Sequence, residues 1–290
     1  MKLTSPEKLF WPEADITKAD LAAYYETVGR RMLPFVRRRL LSLVRCPDGR
    51  EHCFFQRHAS QNMPDAFRTL PVDEKEGDRE DYLYIDDAEG LAAAAQIGAL
   101  ELHIWGSEVD DIEKPTRLVL DFDPDPSVGF PAVKAAAAEM REALDAVGLT
   151  SFPLLTGGKG IHVVAPIAAE HPWPVVKAAA RALAESFAER APDRFVAVMS
   201  KEKRKGKIFI DHFRNERSAS AIAPYSPRAR EGAPLAWPVA WETLDRFDAA
   251  NAVRLTNFND HLGEEPWPEW PKRRQRLTKK ALAMLGMAED

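Results

Sequence analysis

Two hydrophobic rhythms alternate along this chain, and together they predict most of its elements. Between about Lys18 and Met32, the residues Leu21, Tyr24, Tyr25 and Val28 recur at helical spacing on one face, and Thr17 stands before them as an N-cap. The same spacing predicts a helix over Ala132 to Val147, with Val133, Ala136, Met140, Leu144 and Val147 as its stripe and Gly148 as its C-cap. A third helix runs from about Pro174 to Arg190 with Val176, Ala180, Leu183 and Phe187 inward, and a short Ala-rich one lies near Glu89 to Ile97. Short apolar runs between turn residues predict strands at Leu40 to Arg45, His52 to Gln56, Tyr82 to Asp86, Leu100 to Trp105, Phe152 to Thr156, Ile161 to Pro166 and Lys207 to His212. A further strand, Arg117-Leu118-Val119-Leu120-Asp121-Phe122-Asp123, ends in two carboxylates. The last quarter is rich in Pro and Trp, with Trp237, Trp241, Trp267 and Trp270, and closes in a basic helix after Pro271. Strands interleaved with helices make the chain α/β, or α+β, with a sheet as the platform for its chemistry.

Composition narrows this picture. With 290 residues and 45% hydrophobic content, the chain can bury a substantial core, as one domain over 1–290 or two closely packed subdomains within it. No apolar run approaches the roughly 18 residues of a membrane span, and the N-terminus lacks a signal-peptide core, so a soluble cytoplasmic protein without a membrane partner is expected. Only Cys46 and Cys53 occur, in neither a zinc pattern nor a disulfide framework, which agrees with a reducing compartment. The net charge of −5 argues at first against a nucleic-acid partner. Its distribution matters more than its sum. Basic residues gather at Arg30, Arg31 and Arg37 to Arg39, at Lys201, Lys203, Arg204, Lys205 and Lys207, at Arg214, Arg217, Arg228 and Arg230, and from Lys272 to Lys280, whereas acid gathers from Asp73 to Asp81. Each cluster alone reads equally as a solvated face; their number points to a surface for polyphosphate.

Three segments carry candidate chemistry. Alternate residues of a strand share a face, so Asp121 and Asp123 point the same way while Phe122 points into the core. Close carboxylates repel, and a hard divalent cation such as Mg²⁺ or Mn²⁺ removes that conflict; the plainer alternative is a solvated strand end stopped by Pro124 and Pro126. The segment Thr156-Gly157-Gly158-Lys159-Gly160-Ile161-His162 lies between two strands and suits a triphosphate, or else forms an ordinary Gly-rich hairpin. It departs from the P-loop, because no Ser or Thr follows Lys159 and a strand, not a helix, comes next. Finally, Ile208-Phe209-Ile210-Asp211-His212-Phe213-Arg214-Asn215 delivers a third strand-borne carboxylate, completing the inventory for two divalent ions. Arg214, Arg228 and Arg230 are suited to clamp phosphates or to pair with surface acids.

Taken in order, Leu102-His103-Ile104-Trp105, Asp121-Phe122-Asp123, Thr156 to His162 and Phe209 to Asn215 resemble the polymerase domain of bacterial ligase D, of the archaeo-eukaryotic primase superfamily, which acts in non-homologous end joining. The likeness runs from about Leu3 to the basic C-terminal helix. It implies an archaeo-eukaryotic primase-like fold in which an RRM-like catalytic sheet is packed beside an N-terminal α/β module. It also implies a template-dependent polymerase-primase that fills gaps and extends 3′ ends at double-strand breaks, with ribonucleotides preferred. Carried over, Asp121, Asp123 and Asp211 are the catalytic residues and hold two Mn²⁺ or Mg²⁺ ions. The NTP or dNTP meets His103, Thr156, Gly157, Gly158, Lys159, Gly160, His162, Arg214, Arg228 and Arg230. Lys8 and Lys18 fall where the family holds the downstream 5′-phosphate of the DNA end, and Phe54 and Phe55 where aromatic rings stack on the template. Ku and an ATP-dependent DNA ligase are the partners implied, in a bacterial, nucleoid-associated setting. The acidic stretch near Glu74 to Asp81 and the basic loop Lys201 to Lys207 fall at family loops that handle DNA ends.

Independently of the resemblance, adjacent Phe54 and Phe55 on a short strand read as core for at least one of them. No Lys-x-Asp-Gly ligase motif occurs; Cys46-Pro47-Asp48-Gly49 is the nearest approach, so a stand-alone polymerase or an excised domain is expected. Two further functions use the same residues: a metal-dependent nuclease or phosphoesterase, and a DNA-end binding module without catalysis.

Overall fold

The predicted elements find their places in a computed structural model, which describes residues 2–74, 77–263, 265–270 and 274–287. The chain divides into two units, one of Met1–Trp105, Ile222–Trp237 and Val253–Glu265, the other of Gly106–Ala221, Pro238–Ala252 and Pro266–Asp290. The architecture is mixed α/β.

The first unit opens with the short pair β1 (Leu9–Trp11) and β2 (Ile16–Thr17), leading into helix α1 (Lys18–Val36). Thr17 and Asp20 cap α1 reciprocally: the Asp20 amide donates to Thr17 Oγ1 at 3.2 Å and the Thr17 amide to Asp20 Oδ2 at 2.8 Å. The stripe of Leu21, Tyr24, Tyr25 and Val28 is buried as predicted, and Phe35 and Val36 extend it beyond Met32, past Pro34. Strands β3 (Leu41–Arg45), β4 (Phe54–Gln56), β5 (Arg68–Asp73) and β6 (Arg79–Tyr84), helix α2 (Ala88–Gln96) and strand β7 (Ala99–Trp105) follow. Their sheet runs β7-β3-β6-β5, with β4 also paired to β3, and α1 packs against α2.

Two features of this unit differ from expectation. The acidic stretch, placed at a loop, belongs largely to the hairpin of β5 and β6, in which Asp73 lies opposite Arg79. Alternation explains it: Val72 and Tyr82 are buried while Asp73, Arg79 and Asp81 are exposed. Second, Cys46 and Cys53 are joined in a disulfide, which corrects the expectation of two unconnected thiols. Arg45 lies opposite Phe54 in the β3–β4 ladder, so one step outward the two cysteines face each other. The bond therefore gives no support to the reducing-compartment reading. It closes a loop of sequence separation 7, which by chain entropy stabilises the folded state by about 2–3 kcal/mol. Reduction with a dithiol is expected to lower the thermal midpoint by several degrees; equal midpoints for chains shown by mass to be oxidised and reduced would contradict this.

The second unit holds the hairpin β8 (Ser107–Glu108) and β9 (Asp111–Pro115), then β10 (Arg117–Pro124), α3 (Phe130–Ala146), β11 (Phe152–Leu155), β12 (Ile161–Pro166), α4 (Trp173–Arg190), β13 (Phe195–Val196), β14 (Ile208–Asp211) and α5 (Lys279–Met284). The sheet order is β13-β14-β10-β12-β11, so β10 is central. Its residues Leu118, Leu120 and Phe122 are fully buried, and α3 and α4 pack on the sheet. Gly148 takes φ +81° just after α3, as a C-cap requires. Trp267 and Trp270 of the Trp-rich tail pack on Phe152 of β11, with ring centroids 5.5 and 5.6 Å away. Lys75 and Glu76 of the acidic stretch, and Pro271, Lys272 and Arg273 of the basic C-terminal segment, lie outside the described residues. No helix among the described residues is long and apolar enough to cross a membrane.

Candidate active site

Strand β10 is hydrogen-bonded on both sides, and its register assembles the candidate site. Asp121 lies opposite Asp211 of β14 on one side and opposite His162 of β12 on the other. One cross-strand row thus carries Asp211, Asp121 and His162, and Asp123 stands two residues along the same face, opposite Phe209. Directly opposed side chains on antiparallel strands lie about 5 Å apart at Cβ, so the carboxylates are crowded by construction. Basic side chains answer them: His162 Nε2 is 3.3 Å and Arg214 Nη2 3.4 Å from Asp121 Oδ2, and Arg214 Nε is 3.3 Å from Asp211 Oδ2. Asp123 is the outward member, 56% exposed at its side chain, with Arg204 Nη1 4.0 Å away. Asp125 stays outside the row as a turn residue, accepting hydrogen bonds from the Ser127 amide and hydroxyl.

The electrostatics bear out the crowding. Burial of its inner part, then the Asp121 charge, pushes the Asp123 carboxyl above its ordinary pKa against the pull of Arg204 and Lys159. Asp211 is also raised, by burial first, with the Arg214 charge opposing and the Asp121 charge adding. Among the described residues no three His, Cys, Asp or Glu side chains converge into a ready-made ligand shell. The donor chemistry nevertheless fits Mg²⁺ or Mn²⁺: three carboxylates on one face offer only hard oxygens, and a divalent cation relieves the mutual repulsion that adds to burial in raising Asp123 and Asp211.

The Gly-rich segment between β11 and β12 is tied down by its own atoms. Thr156 Oγ1 donates to the Gly160 carbonyl at 2.9 Å and accepts from the Gly158 amide at 3.3 Å, while the Gly157 amide donates to Ala250 O at 3.0 Å. Two of the amides expected to face a phosphate are therefore engaged within the protein. Lys159 is exposed at the tip, and His162 is buried against Asp121. Gly160 is required here: a Cβ on it would lie 2.1 Å from the Phe122 carbonyl oxygen. The loop can thus rest directly on the strand that carries the carboxylates.

Arg214 owes its position to a residue that motif reading left without a role. Asn215 is buried; its Oδ1 accepts from the Val119 amide at 2.8 Å and its Nδ2 donates to the Val119 and His212 carbonyls at 2.7 and 2.8 Å. It pins the turn after β14 to β10. Arg204, read only as part of a basic loop, stacks its guanidinium 3.6 Å from the Phe209 ring centroid and faces Asp123.

In the first unit the predicted residues fall into three groups. On β7, the His103 ring hydrogen-bonds Glu101 through Nε2 at 2.7 Å, and the same carboxylate lies 3.2 Å from Arg228 Nε; Arg230 is exposed two residues on. Lys8 and Lys18 are neighbours, since the Lys18 amide donates to Lys8 O at 2.8 Å. Lys8 pairs with Asp48 at 2.8 Å, whereas Lys18 is 5% exposed and reaches Thr4 Oγ1 at 3.5 Å. Burial, then the charge of Lys8, lowers the Lys18 pKa. Phe54 and Phe55 are 48% and 50% exposed, which corrects the expectation that at least one is core. Among the described residues β4 pairs only with β3, so both rings stay half-exposed; Arg45 sits 5.3 Å over Phe54 and Arg57 5.4 Å over Phe55.

Comparison with known proteins meets this geometry. The family described as LigD, primase-polymerase domain, matches residues 17–268. The Multifunctional non-homologous end joining protein LigD of Pseudomonas aeruginosa is 36% identical over 99% of this chain and 34% of its own length. The Bifunctional non-homologous end joining protein LigD of Bacillus subtilis is 28% identical over 92% of this chain and 43% of its own. Among solved structures, the polymerase domain of Mycobacterium tuberculosis ligase D in complex with DNA superposes with a TM-score of 0.80 at 29% identity, covering 90% of this chain and 94% of that one. The chain spans about a third of the length of the Pseudomonas relative. With a match through both units and the three aspartates on one face of the sheet, the chain belongs to the LigD primase-polymerase domain family.

Proposed function

We propose that this chain is a template-directed nucleotidyltransferase that adds nucleotides, ribonucleotides by preference, to 3′ ends at DNA breaks and gaps during end joining. The observation that carries the reading is the row of Asp211, Asp121 and His162 with Asp123 beside it, on a platform that has two arginines and Lys159 close by. Asp121, Asp123 and Asp211 would hold two divalent ions, Mn²⁺ or Mg²⁺, which neutralise phosphate charge and make a primer 3′-hydroxyl a better nucleophile. His162, buried against Asp121, fixes the rotamer of that carboxylate. Arg214 holds Asp121 and Asp211 apart from each other's charge and turns toward phosphate when they are otherwise neutralised. Lys159 and the backbone of Thr156 to Gly160 supply cation and shape for the triphosphate.

Residues of the first unit take the remaining roles. His103, Arg228 and Arg230 contact the outer phosphates, Phe54 and Phe55 stack on template bases, and Lys8 with Lys18 receives the downstream 5′-phosphate. Stacking on an exposed ring is worth about 1–3 kcal/mol per base, which gives two half-exposed phenylalanines a use. Residues 1–290 act together as one polymerase domain, near the nucleoid, with Ku and an ATP-dependent DNA ligase as partners. Support for that setting comes from the end-joining names of the relatives.

The deciding experiment is primer extension across a short gap bearing a 5′-phosphate, with Mn²⁺ or Mg²⁺ and ribo- or deoxyribonucleotides compared. Extension is expected with ribonucleotides favoured. Intact DNA binding without extension under any condition would leave a binding module, and metal-dependent degradation of the DNA would make the chain a nuclease. Lys8→Ala with Lys18→Ala is expected to reduce the preference for phosphorylated over unphosphorylated gaps about tenfold, measured by competition binding, because phosphate contacts position the end. Unchanged discrimination would remove both lysines from that role.

A further inference from the structure

Glu101 is a carboxylate in the middle of a largely apolar strand, two residues before His103 in Leu100-Glu101-Leu102-His103. Its side chain is only 8% exposed. An ionised carboxylate in such a place is tolerated only when donors converge on it. Three do. His103, two residues along the same face of β7, meets Oε2 at 2.7 Å; Arg228 Nε lies 3.2 Å from the same oxygen; and the Ala229 amide donates to Oε1 at 2.9 Å. An ionised carboxylate can only accept, so His103 Nε2 carries the proton in this contact. Although burial alone would raise it, the carboxyl is held down to about 2 by the His103 hydrogen bond, the Arg228 and His103 charges and the Ala229 amide. A second tie fixes the same segment to β7, since the Leu102 amide donates to Ser226 Oγ at 2.8 Å.

We propose that Glu101 is a positioning residue: its carboxylate gathers the His103 ring, the Arg228 guanidinium and the Ala229 amide into one array that receives the triphosphate of the incoming nucleotide. The inference rests on the proposed polymerase reading, in which His103 and Arg228 touch that triphosphate. Without the carboxylate, a guanidinium, an imidazole and an amide donor would lose the acceptor they share. Arg228 lies 127 positions away in the chain; the backbone of its loop is held by Ser226 and by the Ala223 amide on the Leu102 carbonyl at 2.9 Å, and Glu101 adds the contact that brings the guanidinium beside the His103 ring. Glu101 itself stays buried and presents no negative charge to the phosphates, because the two cations and the amide stand on it.

The test is steady-state primer extension and nucleotide binding with Glu101→Gln, which keeps the shape and removes the charge, beside Glu101→Asp, His103→Ala, Arg228→Ala and the Glu101→Gln/Arg228→Ala double variant. Glu101→Gln is expected to raise KM for the nucleoside triphosphate on the order of tenfold or more, as the loss of a charged hydrogen-bond array implies. The change in kcat should be much smaller, affinity for gapped DNA without nucleotide should not move, and Glu101→Asp should restore part of the loss. In the double variant the two effects should be clearly less than additive, because Glu101 acts through Arg228. Wild-type KM in Glu101→Gln while Arg228→Ala raises it would overturn the positioning role, as would full additivity in a variant that folds normally by circular dichroism. If His103→Ala and Arg228→Ala themselves leave KM unchanged, the assignment of these residues to the triphosphate fails, and the role of Glu101 with it.

Discussion

Replacing Asp121 with alanine is expected to abolish nucleotide addition, lowering the single-turnover rate of primer extension by at least about a thousandfold, on the order of 4 kcal/mol of lost transition-state stabilisation. The reason lies in its place at the centre of the row, where it is the one carboxylate with Asp211 on one side and His162 on the other. Removing it takes away the shared member of the proposed metal platform and releases both His162 and Arg214 from their contacts. Folding should be little affected. Loss of the His162 and Arg214 contacts is offset by relief of the repulsion between facing carboxylates, so the thermal midpoint is expected to move by only a few degrees. Binding of gapped DNA, followed by electrophoretic mobility shift, should persist, because a negative charge has left a face that meets phosphate. Extension at more than a tenth of the wild-type rate would show that the row is not the catalytic centre.

The second large effect concerns a residue with no side chain. Gly160→Ala places a methyl 2.1 Å from the Phe122 carbonyl oxygen, 3.1 Å from its carbon and 3.6 Å from Asp121 Oδ1. Backbone meets backbone there, so no rotamer change makes room. Either the β10–β12 ladder opens at the Phe122–Ile161 pair or the Gly-rich loop lifts away from the strand. Overpacking of this severity costs about 3 kcal/mol of folding stability, and a shift of about 1 Å at the carboxylates costs on the order of a hundredfold in rate. Urea denaturation and primer extension should report both losses. A variant as stable and as active as the parent would mean that the loop does not rest on β10 in the working protein.

Much of this arrangement was legible in the sequence because periodicity reports burial. The stripes of α1, α3 and α4 and the apolar runs of β10, β12 and β14 follow from one-sided or two-sided packing, and Asp121, Asp123 and Asp211 stand out where such runs end in acid. What escaped depends on register. The Cys46–Cys53 bond follows from which residue of β3 faces which residue of β4, and spacing along the chain does not contain that pairing. The exposure of Phe54 and Phe55 depends on β4 having β3 as its neighbour on one side only. The hairpin of β5 and β6 was hidden because Pro71 and several charges break its apolar alternation. Glu101 and Asn215 were silent for another reason: besides His103 and His212 close by, their partners Ala229 and Val119 lie about a hundred positions away, and a polar residue in a strand or turn carries no mark of them.

The central place of β10 has one more consequence. Residues alternate faces strictly along a strand, so sliding β10 by a single position against β12 and β14 would send Asp121 and Asp123 into the apolar interior and push Phe122 into water. No half-formed version of the platform exists between those two registers. Competence is therefore acquired in one step, when the middle strand zips between its neighbours, and a heated or denatured sample should lose turnover along the same curve on which it loses this sheet. Activity in this protein is an all-or-none reporter of strand registration.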